Sequence, residues 1–404
     1  MCKYKNIYLK SGKEESLLRF HPWIFSGAIS KIEEGIEEGD IVRINKFNGD
    51  FIGIGHYQIG TISVRILSFL DIVIDHYFWE EKLRSAICVR QSLGIIRPKV
   101  SIGSENETVN DIYRLVHGEG DNLPGLIIDV YAKCCVIQAH SVGMHIARFD
   151  IANAIKSVMG DKIGSIYYKS ETTLPFKANI CQENYFLLGY TEDNIAKENG
   201  LKFYIDWLKG QKTGFFIDQR DNRMLLEKYA KGRNVLNMFS YTGGFSVYAL
   251  RGGANMVHSV DSSAKAIEIT EQNIILNFPN DTRHKSFCTD AFKYLDGVDK
   301  QYDLIVLDPP AFAKRRTALK NGLRGYIRLN LKGLEKIKSG GILFTFSCSQ
   351  AVSKEQFRQA VFTAAMQAGR KVRILHQLHQ PADHPINIYH LEGEYLKGLV
   401  LYVE

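Results

Sequence analysis

The chain is 404 residues long, which at ordinary domain sizes predicts two or three domains, each with its own core. Apolar residues make up 45% and charged residues 24%, a composition that excludes collagen-like, low-complexity and intrinsically disordered chains. Lys and Arg outnumber Asp and Glu by 51 to 44, and the resulting net charge of +7 is compatible with a nucleic-acid partner without requiring one.

The sequence also favours a cytoplasmic protein with no membrane partner. No run approaches the roughly 20 apolar residues that span a bilayer, and no apolar segment follows the first residues as it does in a signal peptide. The cysteines are odd in number and lack C-x-x-C spacing, which argues against a disulfide framework, a zinc ribbon or an iron–sulfur cluster. They are Cys2, Cys88, Cys134, Cys135, Cys181, Cys288 and Cys348.

Residues 1–72 are predicted to form a small β-rich barrel or sandwich. Strand patterns cover residues 41–44, 51–55 and 62–66, and Asn48-Gly49 is a tight hairpin signal. Residues 73–188 are predicted to form an α+β module. Its predicted elements are helices over 77–94 and 145–159 and strands over 126–131, 135–139 and 165–168.

Residues 189–404 are predicted to form a doubly wound, Rossmann-like α/β domain. Short apolar runs at 235–239, 256–260 and 303–307 alternate with helical segments, which is typical of βαβ units and a parallel sheet. In such a sheet, ligands bind at the edge where the parallel strands end. Residues that follow these strands are therefore the candidates for a functional site.

The turn after the first of these strands predicts a cofactor site. Gly243 and Gly244 let the backbone approach a ligand, and the helix behind them offers free N–H groups. Asp261 ends the next strand, eighteen residues later, where a carboxylate accepts both hydroxyls of a ribose. The G-x-G-x-x-G fingerprint is absent, so S-adenosylmethionine fits better than a dinucleotide. Asp290 would meet the adenine, although a helix cap explains an aspartate there equally well.

The last strands of the domain predict a catalytic edge. Asp308-Pro309-Pro310 ends one buried strand and forms an acceptor-rich rim suited to the amine or ring N–H of a base, on which Phe312 would stack. Cys348 ends the next strand and would lie beside Asp308. A lone cysteine is often only a small buried hydrophobic residue, but its place at this edge favours a functional thiol.

A basic segment follows the Asp-Pro-Pro turn. Its predicted phosphate-contacting residues are Lys314, Arg315, Arg316, Lys320 and Arg324. The alternative is a solvated helix face. His376, His379 and His384 are poorly spaced for a single helical face and lack a carboxylate pattern, so no metal site is expected.

Seven segments together resemble the PUA-domain-containing bacterial 23S ribosomal RNA cytosine-5 methyltransferases over nearly the whole chain. They are HPWIF (21–25), GDNLPGLIID (120–129), TGFFIDQR (213–220), FSYTGGF (239–245), DPP (308–310), FSCS (346–349) and ADHP (382–385). The resemblance implies an RNA-binding PUA domain (1–72), a central linking domain (73–188) and a class I methyltransferase domain (189–404). It also implies S-adenosylmethionine as cofactor, 23S ribosomal RNA or a pre-assembly ribosomal particle as partner, and a possible homodimer.

The resemblance assigns roles to individual residues. Cys348 falls on the motif whose cysteine is the nucleophile, and Asp308 is the second predicted catalytic residue. The predicted cofactor-binding residues are Gln219, Arg220, Phe239, Tyr241, Thr242, Gly243, Asp261, Ser262, Asp290, Ala291, Asp308 and Pro309. Many RNA cytosine-5 methyltransferases carry a second cysteine near Asp-Pro-Pro that helps to release the product. Ala311 and Phe312 stand there in this chain.

Three alternatives stay open on the sequence alone. Asp-Pro-Pro also suits methylation of an exocyclic amine, a reaction that needs no thiol. A non-catalytic RNA-binding assembly factor would retain the cofactor fold without the chemistry. A dehydrogenase is disfavoured by the missing glycine fingerprint.

Overall fold

The computed structural model describes residues 4–96, 110–175 and 183–404, and its chain divides into two compact units. The first unit contains residues 1–200, 205–217 and 382–393, and the second contains 201–204, 218–381 and 394–404. The first two predicted domains thus lie in one unit, and the boundaries at 72/73 and 188/189 stay predictions. Within the described ranges, no helix is long and apolar enough to cross a membrane.

The first unit begins with a six-stranded sheet. Its elements are β1 (Lys5–Leu9), helix α1 (Glu15–Leu18), β2 (Trp23–Phe25), β3 (Ile29–Ile32), β4 (Ile41–Asn45), β5 (Phe51–Tyr57) and β6 (Ile62–Ser68). The strand order is β2-β6-β5-β4-β1-β3, and β4 pairs antiparallel with β5. The three predicted strands are confirmed. The Asn48-Gly49 turn is also confirmed, and Gly49 there takes a φ of +94°, which favours glycine.

A second, five-stranded sheet follows in the same unit. Its elements are α2 (His76–Ser92), β7 (Ile112–His117), β8 (Leu126–Tyr131), β9 (Cys134–Ala139), α3 (Val142–Ile146), α4 (Arg148–Met159), β10 (Ser165–Tyr168) and β11 (Tyr185–Leu188), with β12 (Ile195–Glu198) after it. The order is β11-β10-β9-β8-β7. The helix predicted over 145–159 is divided at Ala147, and its first part begins earlier because Ser141 caps the Met144 N–H.

A buried arginine on α2 ties distant parts of the first unit together. Arg90 is fully buried, and its guanidinium donates to both carboxylate oxygens of Asp121. It also donates to the backbone oxygens of Arg114 (2.8 Å) and Asp383 (2.7 Å). All of its charge is therefore compensated inside the protein, as a buried charge requires.

Replacing Arg90 with methionine is expected to lower the free energy of unfolding by about 3–5 kcal/mol, because the Asp121 carboxylate then stays buried without its cation. Arg84→Met on the same helix is the matched control. Arg84 is exposed and forms a surface ion pair with Glu80, so a change within about 1 kcal/mol is expected. Urea unfolding measures both variants, and equal effects of the two substitutions would contradict the assignment.

The second unit is built on a seven-stranded sheet. Its elements are β13 (Leu201–Tyr204), α5 (Arg220–Ala230), β14 (Asn234–Met238), α6 (Gly244–Arg251), β15 (Met256–Asp261), α7 (Ala264–Asn277), β16 (His284–Cys288), α8 (Ala291–Gly297), β17 (Tyr302–Leu307), α9 (Leu319–Lys336), β18 (Ile337–Ser347), α10 (Lys354–Gln367), β19 (Val372–Leu378) and β20 (Lys397–Val403). The strand order in the seven-stranded sheet is β16-β15-β14-β17-β18-β20-β19, and β13 pairs with β12 instead.

The strand order indicates the edge of the sheet at which a ligand would bind. The chain runs outward from β14 through β15 to β16, then returns to add β17 on the other side of β14, so the order reverses between β14 and β17. The five strands from β16 to β18 are parallel, and ligands bind at their carboxyl ends near such a reversal. The predicted doubly wound α/β fold is confirmed. Strand β20 differs, because it is antiparallel to both β18 and β19.

Candidate active site

The loop after β14 has a strained backbone. Phe239 has a φ of +58°, Tyr241 of +46° and Gly243 of +77°, so two side-chain-bearing residues occupy the left-handed region beside the glycine. Such residues cost free energy and persist only where neighbouring groups hold them. A side chain at Gly243 is excluded as well, because its Cβ would lie 2.6 Å from Cγ2 of Thr270.

Asp261 and helix α7 hold this loop in place. The two carboxylate oxygens of Asp261 accept hydrogen bonds from the backbone N–H groups of Tyr241 and Ser263, both at 2.9 Å. From α7, Thr270 donates to the Tyr241 carbonyl and Asn273 to the Thr242 carbonyl, both at 2.8 Å. A carboxylate oxygen has more than one acceptor site, so Asp261 can hold the loop and also accept ribose hydroxyls.

A chain of amides leads to Asp308 at the end of β17. The Asn222 amide donates to Oε1 of Gln219 at 2.6 Å, and the Gln219 amide donates to Oδ2 of Asp308 at 3.0 Å. Arg220 is buried beside Gln219, with its Nε 3.5 Å from Oδ1 of Asp221. The structure therefore brings together Gln219 and Asp308, two predicted site residues that are far apart in the sequence.

Asp290 is the N-cap of α8, where its Oδ1 accepts the Lys293 N–H at 3.0 Å. This is the alternative role that the sequence allowed, and the contact of Asp290 with adenine stays a prediction. Ala291 is buried at the start of α8, and Ser262 is exposed directly after β15. Both lie at the same edge of the sheet as Asp261, because β15 and β16 are parallel neighbours with Asp261 opposite Cys288.

Cys348 lies beside the Asp-Pro-Pro turn. Strands β17 and β18 are parallel neighbours, and Leu307 is opposite Thr345, so both strands end at the same edge. The Cys348 Sγ lies 4.0 Å from the Pro309 carbonyl oxygen, and the residue is half-buried. Cys348 is therefore neither distant from Asp308 nor sealed from solvent, as a nucleophilic thiol requires.

The Ser349 side chain joins the turn after β17 to the turn after β18. Its Oγ accepts the Ala313 N–H at 3.2 Å and lies 2.8 Å from the hydroxyl of Tyr326 on α9. Burial raises the pKa of Tyr326, which keeps the phenol neutral at physiological pH. The turn after Cys348 and the turn after Asp308 are thus tied to each other and to α9.

The basic segment is exposed as an RNA contact would require. Lys314, Arg315, Arg316, Lys320 and Arg324 are all exposed, and within the described residues no ion pair engages their side chains. The next two basic residues are different, because Arg328 lies over the Phe292 ring and Lys332 pairs with Asp296. The ring of Phe312 packs 4.8 Å from that of Tyr326, so part of its surface is already covered, and its stacking on a base stays a prediction.

Among the residues that the structure describes, the three histidines considered for a metal are not a group that could hold an ion. His376 Nε2 lies 2.8 Å from the Tyr229 hydroxyl in the second unit, whereas His384 belongs to the first unit. A different set of possible metal ligands lies in the first unit. His21, His390 and Glu392 bring one possible ligand atom each within 4.8 Å of one another. Their wide separation in sequence gave no signal of this, and the expectation of no metal stays a prediction.

The donor set at this edge fits S-adenosylmethionine. Asp261 offers a fixed carboxylate for ribose hydroxyls, and Asp308 offers a carboxylate for an ammonium group. Gln219 and Arg220 offer N–H donors at the start of α5 that suit a carboxylate. Phe239, Tyr241, Thr242 and Gly243 form the strained loop against which such a ligand would lie.

Comparisons with known proteins support S-adenosylmethionine as the cofactor. A family model described as S-adenosylmethionine-dependent methyltransferase matches residues 187–386, and a PUA-like domain model matches residues 7–69. Curated proteins named ribosomal RNA large subunit methyltransferase I are 39% identical in Tolumonas auensis and 37% in Alteromonas mediterranea, each aligned over 98% of both chains. A third, from Aeromonas salmonicida, is 38% identical over 98% of both chains.

Solved structures show the same fold. A putative S-adenosylmethionine-dependent methyltransferase from Streptococcus mutans matches with a TM-score of 0.80 at 21% identity, covering 98% of this chain and 99% of the other. A putative methyltransferase complexed with SAH matches with a TM-score of 0.82 at 22% identity and the same coverage. On its near-full-length identity to curated relatives, and with its match to S-adenosylmethionine-dependent methyltransferase and PUA-like domain models, this chain belongs to the ribosomal RNA large subunit methyltransferase I family.

Proposed function

We propose that this protein methylates carbon 5 of a cytosine in 23S ribosomal RNA, either free or within a pre-assembly ribosomal particle. The names of its relatives support ribosomal RNA of the large subunit as the substrate. The observation that carries the cytosine assignment is the half-buried Cys348 thiol, 4.0 Å from the Pro309 carbonyl at the edge where the cofactor-binding residues meet.

The thiol is needed because carbon 5 of cytosine is a weak nucleophile. The target base first leaves its stack and enters the site. The Cys348 thiolate then forms a bond to carbon 6, and the electrons of the 5,6 double bond shift through the ring towards nitrogen 3. Asp308 accepts a hydrogen bond from the exocyclic amine and so holds the base in the orientation that the attack requires.

Electron density returned from the ring makes carbon 5 the nucleophile. When bound, S-adenosylmethionine supplies the electrophilic methyl group to that carbon. The carbon 5 proton is then lost to solvent water, its electron pair restores the 5,6 double bond, and the bond to Cys348 breaks to return the thiolate. A second cysteine does not assist this last step from the Asp-Pro-Pro segment, because Ala311 and Phe312 stand there.

Nucleoside analysis by mass spectrometry tests the function. Ribosomal RNA and partly assembled large subunits from cells lacking the protein are incubated with the enzyme and labelled cofactor, then digested. The proposal predicts label in 5-methylcytidine. Label in an amino-methylated nucleoside would instead support the thiol-independent reaction at Asp308-Pro309-Pro310. Complete cofactor binding without any labelled product would indicate an RNA-binding assembly factor.

The basic segment is expected to contribute to RNA affinity through phosphate contacts. Replacing Lys314, Arg315 and Arg316 with glutamine should weaken binding at every sequence and reduce the slope of log affinity against log salt by about one per lost contact. Fluorescence anisotropy with labelled RNA over a range of salt concentrations measures this slope.

A second triple variant controls for net charge. Lys228, Lys231 and Lys371 are also exposed, and Lys231 and Lys371 precede β14 and β19 at the edge where parallel strands begin. Replacing them changes the net charge equally and should leave the salt slope near that of the wild type. Equal slopes for the two triple variants would remove the basic segment from the RNA interface.

A further inference from the structure

Lys397 is a buried cation next to the turn that follows Cys348. It is the first residue of β20 and lies opposite Ser347, the last residue of β18. Cys348 directly follows Ser347 in the sequence. Only 5% of Lys397 is exposed. A lysine is rarely this buried without a partner, because removing an ammonium from water is costly. Its partners therefore indicate what it does.

Both observed partners of the Lys397 ammonium belong to the turn after Cys348. Its Nζ donates to the carbonyl oxygens of Ser349 (2.7 Å) and Val352 (2.8 Å). The same turn is held from the other side, where the Ser349 Oγ meets the Ala313 N–H and the Tyr326 hydroxyl. Lys397 thus completes the set of contacts that fixes the segment carrying the thiol.

The charge of Lys397 also acts on the thiol. Burial lowers the pKa of Lys397 to about 8, while the nearby Cys348 and Glu394 favour the charged ammonium and Lys354 opposes it. The ammonium therefore predominates at neutral pH. Tyr326 also interacts with Cys348, but burial raises the pKa of that phenol and keeps it uncharged. Of these two groups, Lys397 is therefore the one that carries a positive charge near the thiol.

We propose that Lys397 is a positioning residue for Cys348, which fixes the turn after the thiol and stabilises the attacking thiolate with its ammonium charge. A cation beside a thiol favours the thiolate form, which is the reactive nucleophile. The inference rests on the proposed nucleophilic role of Cys348.

Alkylation of the wild-type protein tests the charge effect directly. Iodoacetamide is added over a range of pH, and the modified cysteine peptides are quantified by mass spectrometry. Cys88 and Cys288 are exposed and serve as references within the same molecule. The midpoint for Cys348 should lie about one pH unit or more below theirs. A Cys348 midpoint equal to or above those of the references would overturn the proposal.

Three substitutions separate charge from hydrogen bonding. Lys397→Arg keeps both and should leave the Cys348 midpoint low. Lys397→Gln keeps a donor without charge, and Lys397→Met keeps neither, so both should raise the midpoint by about one unit or more. Methylation turnover should fall in the Gln variant and fall further in the Met variant, with cofactor affinity unchanged. Lys338→Met makes the same chemical change at the other end of β18 and should shift nothing.

The Gln variant keeps the test decisive if the Met variant does not fold, as judged by thermal melting. An unshifted Cys348 midpoint in folded Lys397→Gln would overturn the charge role. The alkylation readout does not depend on methyl transfer, so the two proposals fail separately. If the Cys348→Ala variant still methylates cytosine, Cys348 is not the nucleophile. If that variant is inactive but the Cys348 midpoint is unshifted in Lys397→Gln, only the role of Lys397 is refuted.

Discussion

Replacing Cys348 with alanine is expected to abolish methylation of cytosine, lowering turnover by about 10⁴-fold or more, while S-adenosylmethionine still binds. The reason is chemical, because without addition at carbon 6 there is no nucleophile at carbon 5. The substitution removes one half-buried sulfur atom and none of the contacts that hold the cofactor loop, so folding and cofactor affinity should be retained. Turnover is measured with labelled cofactor, and binding by calorimetry.

Cys288→Ala is the matched control. Cys288 ends β16 at the same edge of the sheet, but it is exposed, and its sulfur lies 3.7 Å from the Ser262 carbonyl. This variant should methylate at about the wild-type rate. Turnover of Cys348→Ala within tenfold of Cys288→Ala would rule out the covalent mechanism and favour methylation of an exocyclic amine.

Replacing Asp261 with alanine should weaken S-adenosylmethionine binding by at least about tenfold. Two effects combine, since the carboxylate that would accept the ribose hydroxyls is lost and the N–H groups of Tyr241 and Ser263 lose their acceptor. Hydrogen bonds to a charged group contribute about 1.5–3 kcal/mol each, and about 1.4 kcal/mol corresponds to a tenfold change in affinity. Calorimetric titration with S-adenosylhomocysteine measures the loss without turnover.

Asp290→Ala separates a cofactor contact from helix capping. Asp290 caps α8, so its removal should cost about 0.5–2 kcal/mol of stability whatever its role towards the cofactor. If Asp290 also meets the adenine, as predicted, cofactor affinity falls in this variant as well. Unchanged affinity in Asp290→Ala together with a large loss in Asp261→Ala would restrict the cofactor contacts to the loop after β14 and the end of β15. Unchanged affinity in Asp261→Ala would reject its ribose role.

The parallel part of the sheet could be predicted because its signals are local. Each of β14, β15 and β17 is an apolar run followed by a loop residue with recognisable chemistry, and the alternation with helices fixes a parallel sheet. Since parallel strands end at one edge, the proximity of Cys348 to the Asp-Pro-Pro turn followed from the fold class alone.

The remaining features depend on contacts between residues distant in sequence. Strands β19 and β20 flank a long irregular segment, and nothing in the local pattern shows that β20 enters the sheet antiparallel beside β18. That pairing is what brings Lys397 to the turn after Cys348. A lone lysine in the otherwise apolar run 396–403 was the available signal. The positive φ of Phe239 and Tyr241 was also hidden, because ordinary side chains do not indicate the left-handed region.

Trapping with RNA that carries 5-fluorocytosine tests the central claim most directly. Fluorine at carbon 5 leaves no proton to remove after methyl transfer, so the bond from Cys348 to carbon 6 cannot break by the normal route. With S-adenosylmethionine present, the wild-type protein should form an RNA adduct that survives denaturing electrophoresis, with the crosslink on the peptide containing Cys348, and Cys348→Ala should form none. Efficient methylation of cytosine by a wild-type enzyme that never forms this adduct would contradict a thiol attack on the base.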